Sequence, residues 1–317
     1  MDRILVSGGA GFIGSNFVRH LLSKTDYSVV NLDKLTYAGK LNNIKDFRKE
    51  KRHKFVKGDI RNPKLVRSLV KKVDAVVNFA AESHVDRSIR EPGVFVETNV
   101  LGVHVLLEAC RKFGVRFQQI GTDEVYGSRA EGSSTETDAL NPSSPYSASK
   151  ASADLLVNAY YVTYDLGVGV TRSTNNYGPN QHPEKFISKL TTNALRGKPL
   201  PIYSRGENVR DWIYVEDNCR AIQAVLERGG KGQVYNIAGG NEKRNIDVAT
   251  EILRRLSPPG SMIQFVSDRP GHDFRYSLEC DKIHRLGWKP QVSFEDGLQK
   301  TIDWYAANKW WWHPLVD

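Results

Sequence analysis

The stretch ILVSGGAGFIGSNFVRHLL, close to the N-terminus, leaves the chain few choices. Ile4 to Gly8 is a short apolar run ending in glycines, and the residues after Gly11 repeat apolar side chains at helical spacing through Phe17, Val18, Leu21 and Leu22. This predicts a strand, a tight glycine turn and a helix. The unit recurs. YSVVNLD (27–33), KFVKGDI (54–60), DAVVNFAAE (74–82) and VRFQQIG (115–121) read as strands, and VETNVLGVHVLLEACRKFG (96–114) as a helix closed by Gly114. Strands alternating with helices predict an α/β chain with a Rossmann-type, doubly wound parallel sheet. Beyond about residue 175 the rhythm weakens and turns multiply, as in NNYGPNQHPEKF and GKPLPIYSRGENVRDW. A smaller mixed domain is expected there. Residues 1–174 plus about 209–238 are assigned to the first domain, and 175–208 plus about 239–317 to the second.

Composition narrows the partners. With 317 residues, 40 % of them apolar, the chain can fill a large core. Its net charge of +9 suits anionic small molecules as well as nucleic acid. The densest basic run, KDFRKEKRHK (45–54), holds one aromatic and interspersed acids, which reads as a solvated face and not a nucleic-acid patch. Cys110, Cys219 and Cys280 are far apart, odd in number and form no CxxC pair, so neither a disulfide framework nor a zinc site is indicated, and a reducing cytoplasm fits. No signal segment is expected, and no stretch is read as approaching a membrane span.

The first turn, GGAGFIG, satisfies both Gly8-x-x-Gly11-x-x-Gly14 and Gly9-x-Gly11-x-x-Gly14. Glycines there let backbone N–H groups at a helix start approach a pyrophosphate. Such a turn alone can be purely structural, but here it follows a strand, precedes a helix, and is matched by Asp33 at the end of the second strand. An acid in that place accepts hydrogen bonds from an adenosine ribose and repels a 2′-phosphate, so NAD is expected over NADP, with Lys34 beside it keeping the phosphorylated form in view. Asp59 and Ile60 are read as ending a third strand where an adenine could lie.

Further along, YSASK opens a helical stretch that puts Tyr146 and Lys150 on one helix face. A tyrosine of ordinary pKa is about one part in a thousand ionised at neutral pH, a handicap of roughly 4 kcal/mol as a base. A nearby ammonium and a cationic nicotinamide ring both favour the phenolate, and Thr122 offers a hydroxyl to the same substrate oxygen. GTDEVYG (121–127) places Asp123 and Glu124 side by side where a buried strand stops. Either they end the strand or they supply an acid and a base together. In the second role one of them must be kept protonated by repulsion, burial or proton sharing. In an extended strand, however, neighbouring side chains diverge.

Together GGAGFIG, Asp33, NFAAESHVD, Thr122 and Tyr146-x-x-x-Lys150 resemble the extended short-chain dehydrogenase/reductases that act on nucleotide sugars. TDEVYG, PYSASK, NNYGPNQHPEKFI, GENVRDWIYVED and DRPGHDFRY resemble the dTDP-glucose 4,6-dehydratase branch of that family, a likeness that runs from the first strand to NKWWW. The resemblance implies an internal redox cycle with NAD retained. Tyr146, with Lys150, deprotonates the 4-hydroxyl of the sugar as hydride leaves C4. Glu124 removes the C5 proton, Asp123 protonates the departing 6-hydroxyl, and hydride returns to C6. It also implies NAD contacts at Phe12, Ile13, the segment from Asp33 through Lys34 to Thr36, Asp59, Ile60, Ala80, Ala81, Thr98 and Asn176. Sugar contacts are implied at Ser83 and Asn175, and contacts to the nucleotide diphosphate of dTDP-glucose at Lys185, Phe186, Pro201, Ile202, Tyr203, Arg210, Asn245, Arg269 and His272. No metal is implied; His84 and Asp86 have no second ligand cluster. In the same family the helices containing Val100–Ala109 and Ala151–Tyr161 pack with their twofold mates, which implies a homodimer, with no nucleic-acid or membrane partner.

One departure from the family pattern is Gly121, where a serine is usual, a change expected to loosen the backbone that carries the acids. The rival readings are a 4-epimerase, a decarboxylase or a dehydratase of UDP- or CDP-linked sugars, and, from a different class, a non-enzymatic dinucleotide sensor. Epimerisation needs the Tyr/Lys pair but no acid and base at C5 and C6, so Asp123 and Glu124 favour dehydration.

Overall fold

The computed structural model describes residues 1–256, 260, 262–268 and 270–316. β1 (Arg3–Ser7), α1 (Phe12–Lys24) and β2 (Ser28–Asp33) form the predicted opening unit. β3 (His53–Lys57), α2 (Pro63–Val70), β4 (Ala75–Asn78), the short α3 (Val85–Arg90) and α4 (Pro92–Phe95), a π turn at Val96–Leu101 and α5 (Gly102–Phe113) follow. Then come β5 (Arg116–Thr122), α6 (Pro145–Tyr164), β6 (Val168–Ser173), β7 (Asn175–Tyr177), α7 (Phe186–Leu195), β8 (Leu200–Tyr203), β9 (Val209–Tyr214) and α8 (Val215–Arg228). The chain ends with β10 (Gln233–Ile237), β11 (Glu242–Arg244), α9 (Asn245–Leu256), β12 (Ile263–Val266), α10 (Asp281–His284), α11 (Phe294–Ala307) and α12 (Lys309–Val316).

Seven parallel strands form the main sheet in the order β10-β6-β5-β4-β1-β2-β3. Successive residues of each strand point to opposite faces. Ile4 and Val6 therefore join one core with α1 and α8, while Leu5 joins another with α2, α5 and α6. The strand order reverses between β1 and β4, and a crevice opens there beyond their carboxyl ends. A three-stranded sheet (β11-β9-β7) and a two-stranded one (β12-β8) build a separate core around Tyr177, Leu190, Ile202, Trp212, Ile252 and Leu298.

Three sequence expectations change. The third strand stops at Lys57, so Asp59 and Ile60 lie in the loop beyond it, where the Asp59 carboxylate caps the amide of Arg61 at 2.9 Å. The helix read across 96–114 starts earlier and passes through the π turn, whose Asn99 is buried and bonds both the amide and the carbonyl of Glu82 and the hydroxyl of Ser149. The whole helical run, Pro92–Phe113, is long and apolar enough by length and composition to cross a membrane, contrary to the reading that no stretch approaches a span. One side of it is nonetheless packed into the core through Phe95, Val103, Leu106, Leu107 and Cys110.

The basic run at 45–54 is solvated on its charged side, with Phe47 and His53 packed edge to face beneath it. A buried ion pair fastens α6 to the sheet: Arg172 Nε donates to Asp154 Oδ2 at 2.8 Å, and Arg172 Nη1 donates to the Tyr126 hydroxyl at 2.7 Å. Removing one partner strands the other charge in the core. Asp154→Ala is therefore expected to destabilise the protein by about 3–5 kcal/mol, read as a lower denaturation midpoint with unchanged denaturant sensitivity. An unaltered midpoint would show that the pair contributes nothing net.

Candidate active site

At the end of β5 the chain leaves the extended conformation. Thr122 accepts the Glu124 amide on its hydroxyl at 3.3 Å, Asp123–Tyr126 make one 3₁₀ turn, and Gly127 ends it at φ 75°, a left-handed angle that suits glycine. Asp123 and Glu124 are thus not strand neighbours pointing to opposite faces. The turn brings both to one cleft of about 250 Å³, which Thr122, Tyr146, Lys150, Ser83, Asn175, Asn176 and Lys185 also line. Tyr126 anchors the turn from below, its hydroxyl donating to Asn236 Oδ1 at 2.8 Å.

The two acids differ in burial. Asp123 is 3 % exposed, and burial, reinforced by the charge of Glu124, pushes its carboxyl up to about 8 against the hydrogen bond from Thr122. At neutral pH it holds its proton. Tyr146 and Lys150 come from consecutive turns of α6, whose start is fixed by a capping box between Ser144 and Ser147 with Pro145 in the first turn. Burial, then the Glu124 charge, raises the Tyr146 phenol above its ordinary value, while a hydrogen bond with Thr122 opposes. This direction is opposite to the lowering expected from a neighbouring ammonium. Lys150, itself driven down to about 8 by burial with Asp154 opposing, donates its Nζ to the Ile120 carbonyl at 2.5 Å.

Gly121 is tight, not loose. A Cβ there would lie 2.8 Å from the Thr171 carbonyl oxygen and 3.4 Å from Asp154 Oδ1. A side chain at this position would have to fit between the paired β5 and β6 against these groups.

A second cleft, of about 100 Å³, shares Gly8, Gly11, Ala38, Phe79 and Ala81 with the first and runs on to Asp33, Lys34, Thr36, Asp59, Ile60, Ala80 and Thr98. With Phe12, Ile13, Gly14 and Asn176 in the first, all residues expected to meet a dinucleotide line one continuous trough. Asp33 holds the turn from below, accepting the Ala10 amide at 2.9 Å and the Leu35 amide at 2.8 Å. The Lys34 ammonium lies 2.9 Å from Asp59, whose carboxyl is held at about 2; its burial is outweighed by hydrogen bonds from Arg61 and Lys34. Lys34 is therefore already engaged by a carboxylate.

The residues expected to hold the nucleotide diphosphate are less uniformly placed. Lys185 reaches across the trough and donates its Nζ to the Ser83 carbonyl at 2.6 Å. Phe186 stacks on Trp212 at 5.9 Å. Arg210 is 6 % exposed, lies over the Tyr276 ring at 4.5 Å and donates to the Asp273 carbonyl at 2.8 Å. Tyr203 contacts the ring of His272 edge-on and donates to Asp86. Pro201 is part-buried on β8, and Asn245 begins α9, its backbone amide bonded to Asn208. Ile202 is fully buried in the core of the smaller sheets and lines neither cleft, so the structure does not place it where a ligand contact was expected. Arg269 lies outside the described residues.

Sequence reasoning missed His182 and Glu184, which line the cleft beside Lys185. Burial, then the charges of Lys40, Lys185 and Arg87, drives His182 down to about 4, so it is neutral. Their only signal was proximity to Lys185 in QHPEKF. Among the described residues no group of three His, Cys, Asp or Glu side chains converges as a metal site.

Comparison with known proteins agrees with this geometry. The family model described as GDP-mannose 4,6 dehydratase matches residues 5–301. The chain is 53 % identical to the low-salt glycan biosynthesis protein Agl12 of Haloferax volcanii, over 96 % of this chain and 99 % of that one. It is 50 % identical to a dTDP-glucose 4,6-dehydratase of Streptomyces niveus, over 99 % and 95 %. The crystal structure of DesIV, a dTDP-glucose 4,6-dehydratase from Streptomyces venezuelae with NAD bound, superposes with a TM-score of 0.97 at 50 % identity, covering 99 % of both chains. A UDP-glucose 4-epimerase of Thermotoga maritima shares the fold at TM-score 0.90 and 31 % identity, covering 97 % and 99 %. The chain belongs to the GDP-mannose 4,6-dehydratase family of the extended short-chain dehydrogenase/reductases, with the dTDP-glucose 4,6-dehydratases among its relatives of about half-identical sequence.

Proposed function

We propose that this enzyme converts dTDP-glucose to dTDP-4-keto-6-deoxyglucose and water, with NAD retained and not consumed. The observation that carries the reading is Asp123, a carboxyl kept protonated up to about pH 8 beside Glu124 in the cleft that holds Tyr146. Two titratable groups held in different protonation states are what concerted elimination requires.

The trough fits an extended dinucleotide. The glycine turn leaves no room for side chains along it, and Asp33 stands where a 2′-hydroxyl would be read. NAD, when bound along this trough, would supply the hydride acceptor for C4, the hydride donor for C6 and a positive charge that favours the Tyr146 phenolate. The remaining steps belong to the chain. Tyr146 takes the proton of the 4-hydroxyl, with the Thr122 hydroxyl bonding the same oxygen and Lys150 adding positive charge beneath. The 4-ketone acidifies the C5 hydrogen, because the carbanion delocalises as an enolate. Glu124 takes that proton, Asp123 gives its own to the leaving 6-hydroxyl, and C5 is later reprotonated. An epimerase on the same fold has no use for the acid at C6, so this pair favours dehydration.

The main-sheet lobe holds the cofactor. The smaller lobe, through Lys185, Arg210, Asn245, His272 and the β8 edge at Pro201–Tyr203, holds the nucleotide diphosphate, with Ser83 and Asn175 on the sugar. Cations suit a pyrophosphate. Thymine over uracil rests on one methyl group, worth about 1–3 kcal/mol. The protein works as a cytoplasmic homodimer. What supports the dimer is the apolar face left exposed on the π turn and α6, where Val96 is 56 %, Leu101 50 %, Leu155 60 % and Val162 72 % exposed. Neither nucleic acid nor membrane is part of this assignment.

Given dTDP-glucose deuterated at C4, in light water, the enzyme should return deuterium to C6 of the same molecule while C5 gains solvent hydrogen. Label returned to C4, or lost to solvent, would falsify the assignment. Asp123→Asn and Glu124→Gln should each abolish water loss yet leave a transient rise in NADH absorbance from C4 oxidation, and unchanged turnover in both would make the pair merely structural. Because Asp123 acts only while protonated, elimination should fall as pH rises through about 8 and drop about tenfold per further unit. A rate flat between pH 7 and 10 would remove Asp123 from the acid role.

A further inference from the structure

We propose that the C-terminal aromatic helices are a positioning element of the cofactor site, with Trp311 and Tyr305 tying the two walls of the dinucleotide trough together and so setting how long NAD stays bound. This rests on the assignment of the trough to NAD.

The first tie runs to the glycine turn. Trp311 is 4 % exposed, and its Nε1 donates to Asn43 Oδ1 at 2.8 Å. Asn43, fully buried, donates through Nδ2 to the Ala10 carbonyl at 2.7 Å, a carbonyl that also accepts the Lys40 amide at 3.0 Å. Ala10 sits in the middle of GGAGFIG, and its own amide is held by Asp33. The two peptide groups flanking Ala10 are therefore each held, the one before it by Asp33 and the one after it by the Trp311–Asn43 link. Without the indole N–H, the Asn43 amide would keep its bond to Ala10 but lose the one that anchors its oxygen to the C-terminal helix.

The second tie runs to the opposite wall. The Tyr305 hydroxyl donates to the Gln181 carbonyl, and Gln181 Nε2 donates to the Asn176 carbonyl at 2.8 Å. Gln181 and Asn176 both line the cleft. The two ties are one unit, because Trp312 Nε1 donates to the Tyr305 carbonyl at 2.8 Å and Trp304 packs edge-on against Trp311 at 5.0 Å. α11 and α12 thus span from the turn after β1 to the loop after β7. A reaction that must return a hydride to the sugar it came from fails whenever reduced cofactor leaves midway, so a strap across both walls has a direct chemical use.

The test is the exchange of bound NAD against labelled NAD on the intact enzyme. Trp311→Phe keeps an aromatic side chain but removes the N–H together with the fused five-membered ring, whereas Tyr305→Phe removes the hydroxyl alone. Exchange is expected to quicken about tenfold, the scale of one buried hydrogen bond. Tyr305→Phe, an independent variant should the first fold poorly, is expected to quicken it similarly. Asn43→Ala combined with Trp311→Phe should be no faster than Asn43→Ala alone, since both break one link. Trp310→Phe, on the half-exposed indole that faces Lys45, should leave exchange unchanged. Exchange within twofold of the parent in both Trp311→Phe and Tyr305→Phe, whatever their melting temperatures, would overturn the proposal and leave the dehydratase reading standing. Failure of the parent enzyme to bind NAD would overturn both.

Discussion

A Cβ on Gly8 would lie 2.5 Å from the Ala80 backbone nitrogen, and one on Gly14 would lie 2.2 Å from the Gly8 carbonyl oxygen. The rest of the site depends on this close approach. The turn after β1 can press against the end of β4 only because neither residue carries a side chain, and Gly8 adopts a left-handed φ of 74° to do so. Without that contact the crevice at the strand-order reversal would lack its floor, and α1 could not present its first amides to a pyrophosphate. Asp33, Asn43 and the C-terminal indoles then hold the turn in place from outside.

Chemistry at the far end of the trough depends on water exclusion in a different way. Asp123 opens the one-turn helix after β5 and is enclosed there, which keeps its carboxyl protonated, whereas Glu124 beside it is part-exposed. The same enclosure works against Tyr146, whose phenol is harder to ionise inside the protein than in water until positive charge arrives. Burial therefore keeps the Asp123 carboxyl protonated, and it raises the Tyr146 phenol until positive charge offsets it.

Gly121 and the π turn both lie beside the trough. At Gly121 the regular pairing of β5 and β6 continues, with the Asp154–Arg172 pair packed close to the bare backbone, whereas at the π turn the α-helical repeat gives way and Asn99 bonds the Glu82 backbone.

Much of the fold was legible in the residues, since alternation of apolar runs with helical spacing is a local property and a parallel sheet follows from its order. The trough residues were legible for the same reason: Gly8, Gly11, Gly14, Asp33, Tyr146 and Lys150 stand at fixed distances from strand ends. What the sequence could not determine was the direction of side chains brought together from distant segments. Adjacent Asp123 and Glu124 looked divergent until the strand broke into a 3₁₀ turn, Asp59 moved from a strand end into a loop, and Ile202 turned inward. His182, Glu184 and the Trp311–Asn43–Ala10 link carried no usable pattern, because their partners are fixed by packing across the chain. Sequence alone determined which chemical groups stand at each strand end and on α6, because that is covalent. Their protonation states and convergence were decided only in the tertiary structure, because these depend on excluded water and on neighbours that folding supplies.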